Sequence, residues 1–395
     1  MEPNKQTEDT LDFVTMGMFI IDDIEFGPRK QPALNVPGGA GTYAALGARL
    51  FSPPPLCRSV GYIVDVGCDC PPSLVTLIDS WAMTAIVRRD EGRLTTRGHN
   101  TYQGPDQVRS FNYATPKKRI TAQDLPPSLL RSRSFHLICS PARCQDLVAD
   151  ITSRRKAFAC SRPIFVWEPV PDLCTPDHLI ACINTLALVD VCSPNHTELA
   201  GLLGQDGVQA ETGHVCTATV ESACEHLLSS MPLRSYALVI RAADKGCYIA
   251  SNGGAGLWLR RCKPQPRRGS HNNTNLEPLF SAPRDHEGFA TLHDDQDDQD
   301  DVGGAISYWL PAYHEDSANV VDPTGGGNAF LGGLAVALAR GLNLQDAACW
   351  GIIAASFAIE QIGMPLLATD RNGNEMCNGK NVLERLHDYK SRNNI

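Results

Sequence analysis

Short apolar runs alternate with longer stretches of helical periodicity along most of the chain. Strands that alternate with helices in this way are typical of parallel βαβ units. The pattern therefore predicts an α/β fold, with a mostly parallel sheet covered by helices on both faces. The predicted strands cover residues 13–21, 135–139, 164–167, 188–192, 237–240 and 247–250. The predicted helices cover residues 39–50, 73–80, 176–185, 220–229, 329–340, 344–362 and 379–389.

Two segments depart from this alternation. Within residues 88–113 the run TTRGHNTY alternates like a strand and is flanked by charged turn residues, which predicts a small β lid over a pocket. Residues 262–304 begin with Pro, Asn, Gly and Arg and continue into the acidic run DDQDDQDD. Such a stretch buries too little apolar surface to order itself, so we expect a disordered acidic insertion within a single domain spanning 11–390.

Composition narrows the class of partner. The 395 residues are 43% hydrophobic and 20% charged, which is enough to bury a large core. The net charge of -9 argues against a nucleic-acid footprint and favours a small-molecule partner. No apolar run reaches the roughly 18 residues of a membrane span, and the polar N-terminus is unlike a signal peptide, so we expect a cytoplasmic protein without a membrane partner.

The strongest chemical signal is VVDPTGGGNAFLGGLAVAL, in which three glycines lead into an apolar helix. Gly325, Gly326 and Gly327 allow the backbone to approach an anion closely. The helix that follows directs unpaired N–H groups and a partial positive charge at the same place. The pattern predicts an anion hole, although a glycine-rich turn that caps a buried helix has the same sequence.

This stretch resembles the second signature of the PfkB carbohydrate kinase family. Asp322, Gly325, Gly327, Ala329 and Phe330 match that signature. Thr324 falls at its open position, where the resemblance implies contact with the nucleotide, and Pro323 stands where the family often has threonine. The family's implied fold is a ribokinase-like three-layer α/β domain, and its implied cofactors are ATP and Mg²⁺.

Other PfkB landmarks follow in order along the chain. Asp22, five residues after Gly17, matches an aspartate that binds substrate hydroxyls, and the segment with Gly38, Gly39 and Tyr43 resembles the first signature under the substrate. Asn195-x-x-Glu198 matches an element that organises magnesium through water, and it also has the sequence of a helix capping box. ALVIRAADKGCYIA resembles the nucleotide-contact turn, with Ala243 and Gly246 as the implied contacts.

One departure from the family bears on catalysis. Asn328 stands where the family carries the aspartate that takes the proton of the alcohol. A carboxamide cannot accept a proton at neutral pH, although it can hold an alcohol by a hydrogen bond. Loss of a general base typically costs about 10²- to 10⁴-fold in rate, and a loose transition state needs proton removal only late. Similarity to a fungal subgroup of PfkB-like proteins implies that the asparagine is a subgroup feature.

Further departures concern the ligands. Tyr43 replaces an asparagine of many sugar kinases, which favours a flatter or more apolar acceptor, and Ala243 with Asp244 replaces a glycine-containing turn. Glu168, in a Trp-Glu-Pro run after a buried strand, fits either the active-site crevice or a strand-ending turn.

The sequence is compatible with two functions. The first is a kinase that phosphorylates an alcohol of a sugar, nucleoside or related metabolite. The second is a pseudokinase that binds a nucleotide or metabolite or acts in an assembly. A homodimer is also left open.

Overall fold

The computed structural model describes residues 10–26, 31–103, 108–158, 160–253 and 304–395. The predicted acidic insertion at 262–304 therefore lies outside the described residues, apart from Gly304. None of the helices in these ranges is long and apolar enough to cross a membrane.

The described strands fall into three sheets. In chain order they are β1 Phe13–Thr15, β2 Ile20–Glu25, β3 Ala33–Gly38, β4 Val60–Gly67, β5 Thr84–Asp90, β6 Arg97–Gln103, β7 Val108–Tyr113, β8 Ser134–Cys139, β9 Ile164–Pro169, β10 Val191–Cys192, β11 Ala237–Arg241, β12 Cys247–Ser251, β13 Ile306–Leu310, β14 Leu367–Thr369 and β15 Glu375–Cys377. The main sheet has the order β13-β12-β11-β10-β9-β8-β1-β4-β5. Its strands run parallel from β5 to β11, whereas β12 and β13 are antiparallel additions at one edge.

Helices cover both faces of the main sheet. They are α1 Ala40–Leu50, α2 Pro72–Ser80, α3 Pro127–Leu130, α4 Pro141–Arg155, α5 Leu179–Leu186, α6 His196–Leu202, α7 Thr217–Ser230, α8 Gly326–Ala339, α9 Leu344–Ala358 and α10 Val382–Asn393. One apolar core joins the sheet to α1, α2, α8 and α9, and a second joins it to α4, α5, α6 and α7. The predicted α/β architecture is confirmed.

Helices α1 and α8 approach each other at backbone distance. A Cβ atom added to Gly47 would lie 2.1 Å from the carbonyl oxygen of Ala329, and one added to Gly332 would lie 1.9 Å from that of Ala44. Real Cβ atoms do not come this close to backbone, so glycine is required at both positions. The small residues of both helices therefore serve direct helix-to-helix contact.

The prediction of one strand over 13–21 was wrong. The chain forms β1 in the main sheet and β2 in a separate four-stranded sheet of order β3-β2-β6-β7. The change of sheet occurs around Gly17, where a Cβ atom would lie 2.5 Å from the amide nitrogen of Gly41. Both halves of the segment are apolar, so hydrophobic pattern alone does not reveal where the chain leaves one sheet for another.

The segment predicted as a lid is divided between two sheets. Arg88–Asp90 belong to β5 of the main sheet, whereas β6 and β7 lie in the four-stranded sheet. Strands β2 and β3 complete this small sheet. Strand β3 was not predicted, because its sequence ALNVPG carries proline, asparagine and glycine. Helix α4 and strand β4 were also missed.

Candidate functional site

A cavity of about 760 Å³ lies where α1, α4 and α8 begin and where the small sheet faces the main sheet. Its lining brings together Asp22 and Gly39 with Tyr43, and Thr324 and Gly325 with Asn328. The fold thus brings together residues that are far apart in the chain: Asp22 and Asn328 are separated by about 300 positions. Ligands of open α/β sheets bind beyond the carboxyl ends of the strands, which is the position of this cavity.

Two glycines shape the end of the cavity that holds Asp22. The Asp22 side chain lies in β2 and is 5% exposed, and its Oδ1 accepts a hydrogen bond of 3.1 Å from Nδ2 of Asn100. A Cβ atom on Gly38 would lie 1.9 Å from Oδ2 of Asp22, and one on Gly98 would lie 2.4 Å from Oδ1. Because Gly38 and Gly98 have no side chains, there is room for the Asp22 carboxylate at the cavity wall.

Tyr43 forms the surface on which the glycine-rich turn rests. It is 4% exposed, and the ring atoms would lie 2.2 to 2.3 Å from a Cβ atom placed on Gly325. Gly325 also has φ +78°, a left-handed conformation that favours glycine. Tyr43 is thus a packing partner of the turn as well as a lining residue of the cavity.

The turn ends in the first residues of α8, which the sequence analysis assigned to an anion hole. The Thr324 amide donates a hydrogen bond of 2.9 Å to Oδ1 of Asp322, and α8 begins at Gly326. The amides of the first helical turn have no partners within the helix and carry the positive end of its dipole. Gly326 and Gly327 lie in that turn, but the Gly326 amide already donates to the carbonyl oxygen of Pro323 at 3.2 Å, so the anion hole stays a prediction.

Asn328 is bound to a buried carboxylate. Its Nδ2 donates a hydrogen bond of 2.5 Å to Oε2 of Glu168, which is 5% exposed. An ionised carboxylate only accepts hydrogen bonds, so this contact orients the amide and leaves Oδ1 as its free acceptor. Of the two interpretations of Glu168, the structure favours a position beside the site rather than an exposed turn.

Glu168 is the centre of a charged cluster. Its Oε1 lies 2.7 Å from Nη2 of Arg241, and Oε2 lies 3.7 Å from Nε2 of the fully buried His136. The same Arg241 nitrogen lies 3.4 Å from Oε2 of Glu198. We call these four residues, His136, Glu168, Glu198 and Arg241, the charged cluster.

Burial and pairing act in opposite directions on the two carboxylates. Burial alone would raise the pKa of Glu168, but the Arg241 guanidinium and His136 outweigh it, and the pKa falls below its usual value. Burial raises the pKa of Glu198 to about 7; the Arg241 guanidinium opposes this rise and the Glu168 charge adds to it. Glu168 is therefore the ionised partner of Asn328 and Arg241 at neutral pH.

The predicted nucleotide-contact residues Asn195, Ala243 and Gly246 do not line the cavity, and Asn195 lies beside Arg241 of the charged cluster. Oδ1 of Asn195 accepts from the Glu198 amide at 2.8 Å, and Oε2 of Glu198 accepts from the Asn195 amide at 2.8 Å, which is a complete capping box at the start of α6. Ala243 has φ +47° and Gly246 has φ +82° in the tight turn between β11 and β12. A Cβ atom on Gly246 would lie 2.1 Å from the carbonyl oxygen of Leu310.

A directly bound magnesium ion does not fit this region. Asn195 and Glu198 satisfy each other's backbone, and the Arg241 guanidinium is 3.4 Å from Glu198. Within the ranges that the structure describes, no group of three or more His, Cys, Asp or Glu side chains could hold a metal. The predicted contact of Glu198 to magnesium through water stays a prediction.

Arg241 and His136 were missed by the sequence analysis. Each is a polar or charged residue in an apolar strand of the main sheet, and Arg241 is the last residue of its strand. A charged residue at the carboxyl end of a parallel strand is the signal that would have found Arg241.

Comparison with known protein families supports the resemblance noted in the sequence. The model described as "pfkB family carbohydrate kinase" matches residues 310–368, which contain the glycine-rich turn and α8. The chain is 33% identical to Protein MAK32 of Saccharomyces cerevisiae over 100% of this chain and 96% of that protein. A shorter match, 46% identical over 61 residues, covers 13% of this chain and 17% of an inositol 3-kinase of Arabidopsis thaliana.

Solved structures with a similar fold extend over almost the whole chain. A probable sugar kinase from Rhizobium etli has a TM-score of 0.61 at 14% identity and covers 98% of this chain and 99% of its own. A putative ribokinase II from E. coli, solved with ATP and Mg²⁺, has a TM-score of 0.57 at 14% identity and covers 97% of this chain and 99% of its own. At these identities the likeness shows a ribokinase-like fold.

Proposed function

Because the chain belongs to the pfkB family of carbohydrate kinases, we propose that it transfers the γ-phosphate of ATP to an alcohol of a sugar, nucleoside or related small metabolite. The observation that carries this proposal is that Asp22, Gly325 and Asn328 line the same cavity. This arrangement places the carboxylate proposed to bind hydroxyls in the same cavity as the turn proposed to bind an anion. Positioning and charge stabilisation of this kind supply most of the catalysis of phosphoryl transfer.

The residues take complementary parts in the proposed reaction. Asp22 accepts a hydrogen bond from one hydroxyl of the acceptor, while Oδ1 of Asn328 accepts from the reacting hydroxyl. The amides at the start of α8 face the γ-phosphate. The alcohol oxygen forms a bond to phosphorus as the bond to the β-phosphate oxygen breaks, ADP leaves, and the alcohol proton passes to water late in the step.

ATP enters such reactions as its magnesium complex, and the metal neutralises charge on the phosphates. The residues of this chain do not fit direct coordination, so Glu198 remains the proposed contact to the metal and the nucleotide only through water. Asn195, Ala243 and Gly246 remain the proposed contacts to the nucleotide, and Thr324 remains the proposed contact near the phosphates.

The residues that line the cavity limit which alcohols can serve as the phosphate acceptor. Asp22 suits a hydroxyl-bearing ligand, and the partly exposed rings of Phe111 and Tyr113 line the same cavity. These rings stand 5.0 Å apart in an edge-to-face arrangement, which offers an apolar surface beside the carboxylate. This combination fits a polyol or nucleoside with one flat or apolar face.

The test is titration calorimetry with MgATP, followed by a phosphate-transfer screen on sugars, polyols and nucleosides with mass spectrometric detection of products. We expect ATP binding and at least one phosphorylated alcohol. A protein that binds neither ATP nor any acceptor of the panel would overturn the proposal.

A second candidate function is a pseudokinase that binds a nucleotide or metabolite without turnover, or acts in an assembly. The observation that favours it is Asn328 at the base position, with the nearest carboxylate, Glu168, occupied by Asn328 and Arg241. Binding of MgATP and an acceptor without product would favour this function over the first.

A further inference from the structure

Three basic side chains line the cavity and have no part in the proposed transfer to a neutral alcohol. Lys117 and Arg119 follow β7 of the small sheet, and Arg143 lies in the first turn of α4. A neutral sugar, polyol or nucleoside offers no anionic group with which these cations could pair. The basic residues therefore indicate a further group on the ligand.

The three basic residues belong to neighbouring parts of the lining. Nη2 of Arg143 donates a hydrogen bond of 2.6 Å to the carbonyl oxygen of Ile120, which directly follows Arg119 in the chain. Nζ of Lys117 lies 4.1 Å from the centre of the Tyr113 ring. Burial raises the pKa of the Tyr113 phenol, and the charge of Arg119 opposes this rise. The cations thus surround the stretch from Tyr113 to Ile120 where it meets the start of α4.

No carboxylate neutralises these cations by contact. Within the ranges that the structure describes, none of the three forms an ion pair. Asp146 and Asp172 line the same cavity, but both are exposed and lie outside any ion pair of these ranges. The cavity therefore presents separate positive and negative groups to a ligand instead of salt bridges.

Separate groups of both signs suit a ligand that carries hydroxyls together with an anion. Carboxylate oxygens accept hydrogen bonds from hydroxyls, whereas guanidinium and ammonium groups donate charge-assisted hydrogen bonds to phosphate oxygens. A phosphate monoester has three terminal oxygens and a charge of about -1.5 to -2 at neutral pH, which matches three cations better than a carboxylate does. The cavity of about 760 Å³ is large enough for such a ligand.

Arg143 is the most fixed of the three cations. It is half-buried, and its bond to the Ile120 carbonyl holds one nitrogen of the guanidinium. Its Nε and Nη1 have no hydrogen-bond partner among the residues whose positions are described. A planar fork that is already held in place loses little entropy when it binds an oxyanion. The positive end of the α4 dipole lies at the same turn and adds to the attraction.

We propose that the acceptor alcohol carries a phosphate monoester, which Lys117, Arg119 and Arg143 bind while Asp22 binds its hydroxyls. The transfer of a second phosphate to this compound rests on the proposed function. Its binding does not, because the cations act on the phosphate that the acceptor already carries. An earlier phosphorylation must then supply the substrate.

The experiment is titration calorimetry of the full chain, without nucleotide, with matched pairs of ligands. The pairs are glucose and glucose 6-phosphate, ribose and ribose 5-phosphate, and myo-inositol and a myo-inositol monophosphate. We expect the phosphorylated member of at least one pair to bind about 10- to 100-fold more tightly than the neutral member, as charge-assisted hydrogen bonds allow. Transfer from MgATP to the same compounds is measured in parallel.

The variants Arg143→Gln and Lys117→Gln should each lower this ratio of affinities about tenfold. Arg154→Gln is the control for Arg143, because Arg154 is exposed in the last turn of the same helix and does not line the cavity. Lys118→Gln is the control for Lys117, because Lys118 is the next residue, is exposed and lies outside the lining. Lys117 is exposed, so its variant keeps the test valid even if loss of the Arg143 contact to Ile120 unfolds the other.

The outcomes separate this proposal from the proposed function. Phosphorylated members that bind no more tightly than the neutral ones, or a ratio that Lys117→Gln and a folded Arg143→Gln leave unchanged, would overturn the phosphate site. Transfer to a neutral alcohol would then leave the kinase proposal standing. A ratio that depends on Arg143 and Lys117, without transfer from ATP to any compound, would support the phosphate site and count against the kinase.

Discussion

The side-chain nitrogen of Asn328 donates a hydrogen bond of 2.5 Å to Oε2 of Glu168. The amide lines the cavity, whereas the carboxylate lies behind it and is also paired with Arg241. The chain therefore has a carboxylate next to Asn328, the residue predicted to occupy the position of the family's base, but the amide separates this carboxylate from the cavity. An exchange of the two groups would bring the carboxylate to the cavity.

The variant Asn328→Asp with Glu168→Gln makes this exchange without changing the net charge. The glutamine amide introduced at position 168 would donate to the carboxylate introduced at position 328, so the hydrogen bond would persist. If the lost base limits turnover, the rate of transfer to an accepted alcohol should rise about 10²-fold, the lower range of general-base catalysis. Single-turnover assays with saturating MgATP measure it.

Asn328→Asp alone is the informative comparison for this exchange. It would place two carboxylates within hydrogen-bond distance, where one must hold a proton, so a smaller gain in rate and a lower melting temperature are expected. A folded double variant that binds both ligands yet turns over no faster would show that the base is not limiting.

Asp22→Asn tests the acceptor end of the cavity. The asparagine keeps an oxygen for the Asn100 contact but loses the charge. We expect the KM for the acceptor to rise about 10- to 100-fold, since a charge-assisted hydrogen bond contributes about 1.5–3 kcal/mol. The Kd for MgATP should stay unchanged.

Asp23→Asn is the control for this variant, because Asp23 accepts from the Asn35 amide and faces Arg97 instead of the cavity. Equal effects of Asp22→Asn and Asp23→Asn on the acceptor would contradict the assigned role of Asp22.

Gly325→Ala tests the turn that precedes α8. A left-handed alanine costs roughly 1–2 kcal/mol, and here its methyl group would also meet the Tyr43 ring. Gly373→Ala is matched in backbone angle, with φ +85°, but has no atom within 4 Å of its Cβ position. Urea denaturation should therefore show a larger loss for Gly325→Ala, together with weaker ATP binding, and equal losses would exclude the Tyr43 contact as a cause.

Glu360, which does not line the cavity, makes a pH-dependent contribution to stability. Burial alone would raise its pKa, but hydrogen bonds from His314, Arg385 and Asn378 lower the pKa to about 2. A carboxylate with a depressed folded-state pKa stabilises the protein above its unfolded pKa, and this stabilisation is lost as the pH falls from about 4.3 through about 2.

A roughly hundredfold difference in proton affinity between the unfolded and folded states would correspond to about 3 kcal/mol. Glu360 is only half-buried and is screened by solvent, so its contribution at pH 5 and above is about 1–2 kcal/mol. Glu360→Gln should lower the free energy of unfolding at pH 6, and the gap to the wild type should shrink as the pH approaches 2. A gap that stays constant over this range would show that the Glu360 charge is not the cause.

The sequence predicted the parts of the site that are local in the chain. The Gly325–Gly327 turn and the Asn195–Glu198 capping box each depend on a few consecutive residues, so their spacing alone indicates their geometry. The position of Asp22 was predicted through family resemblance, although the strand that carries it was assigned to the wrong sheet.

The charged cluster was not predicted, because it depends on contacts between separate elements. Glu168, Glu198 and Arg241 lie on β9, α6 and β11, and nothing in their own neighbourhoods reveals that they meet. A buried charge is stable only when a partner of opposite charge is present. The role of each of these residues therefore depends on contacts that only the tertiary structure creates.

The glycine contacts between α1 and α8 have a consequence for ligand size. The two helices each contribute residues near their first turns to the cavity lining, and they meet through peptide backbone at Gly47 and Gly332. Rotation of side chains cannot alter a separation that backbone contact sets. The relative position of the two helix starts is therefore fixed by backbone, and for the proposed reaction we expect the small sheet, rather than these helices, to adjust to the shape of the ligand.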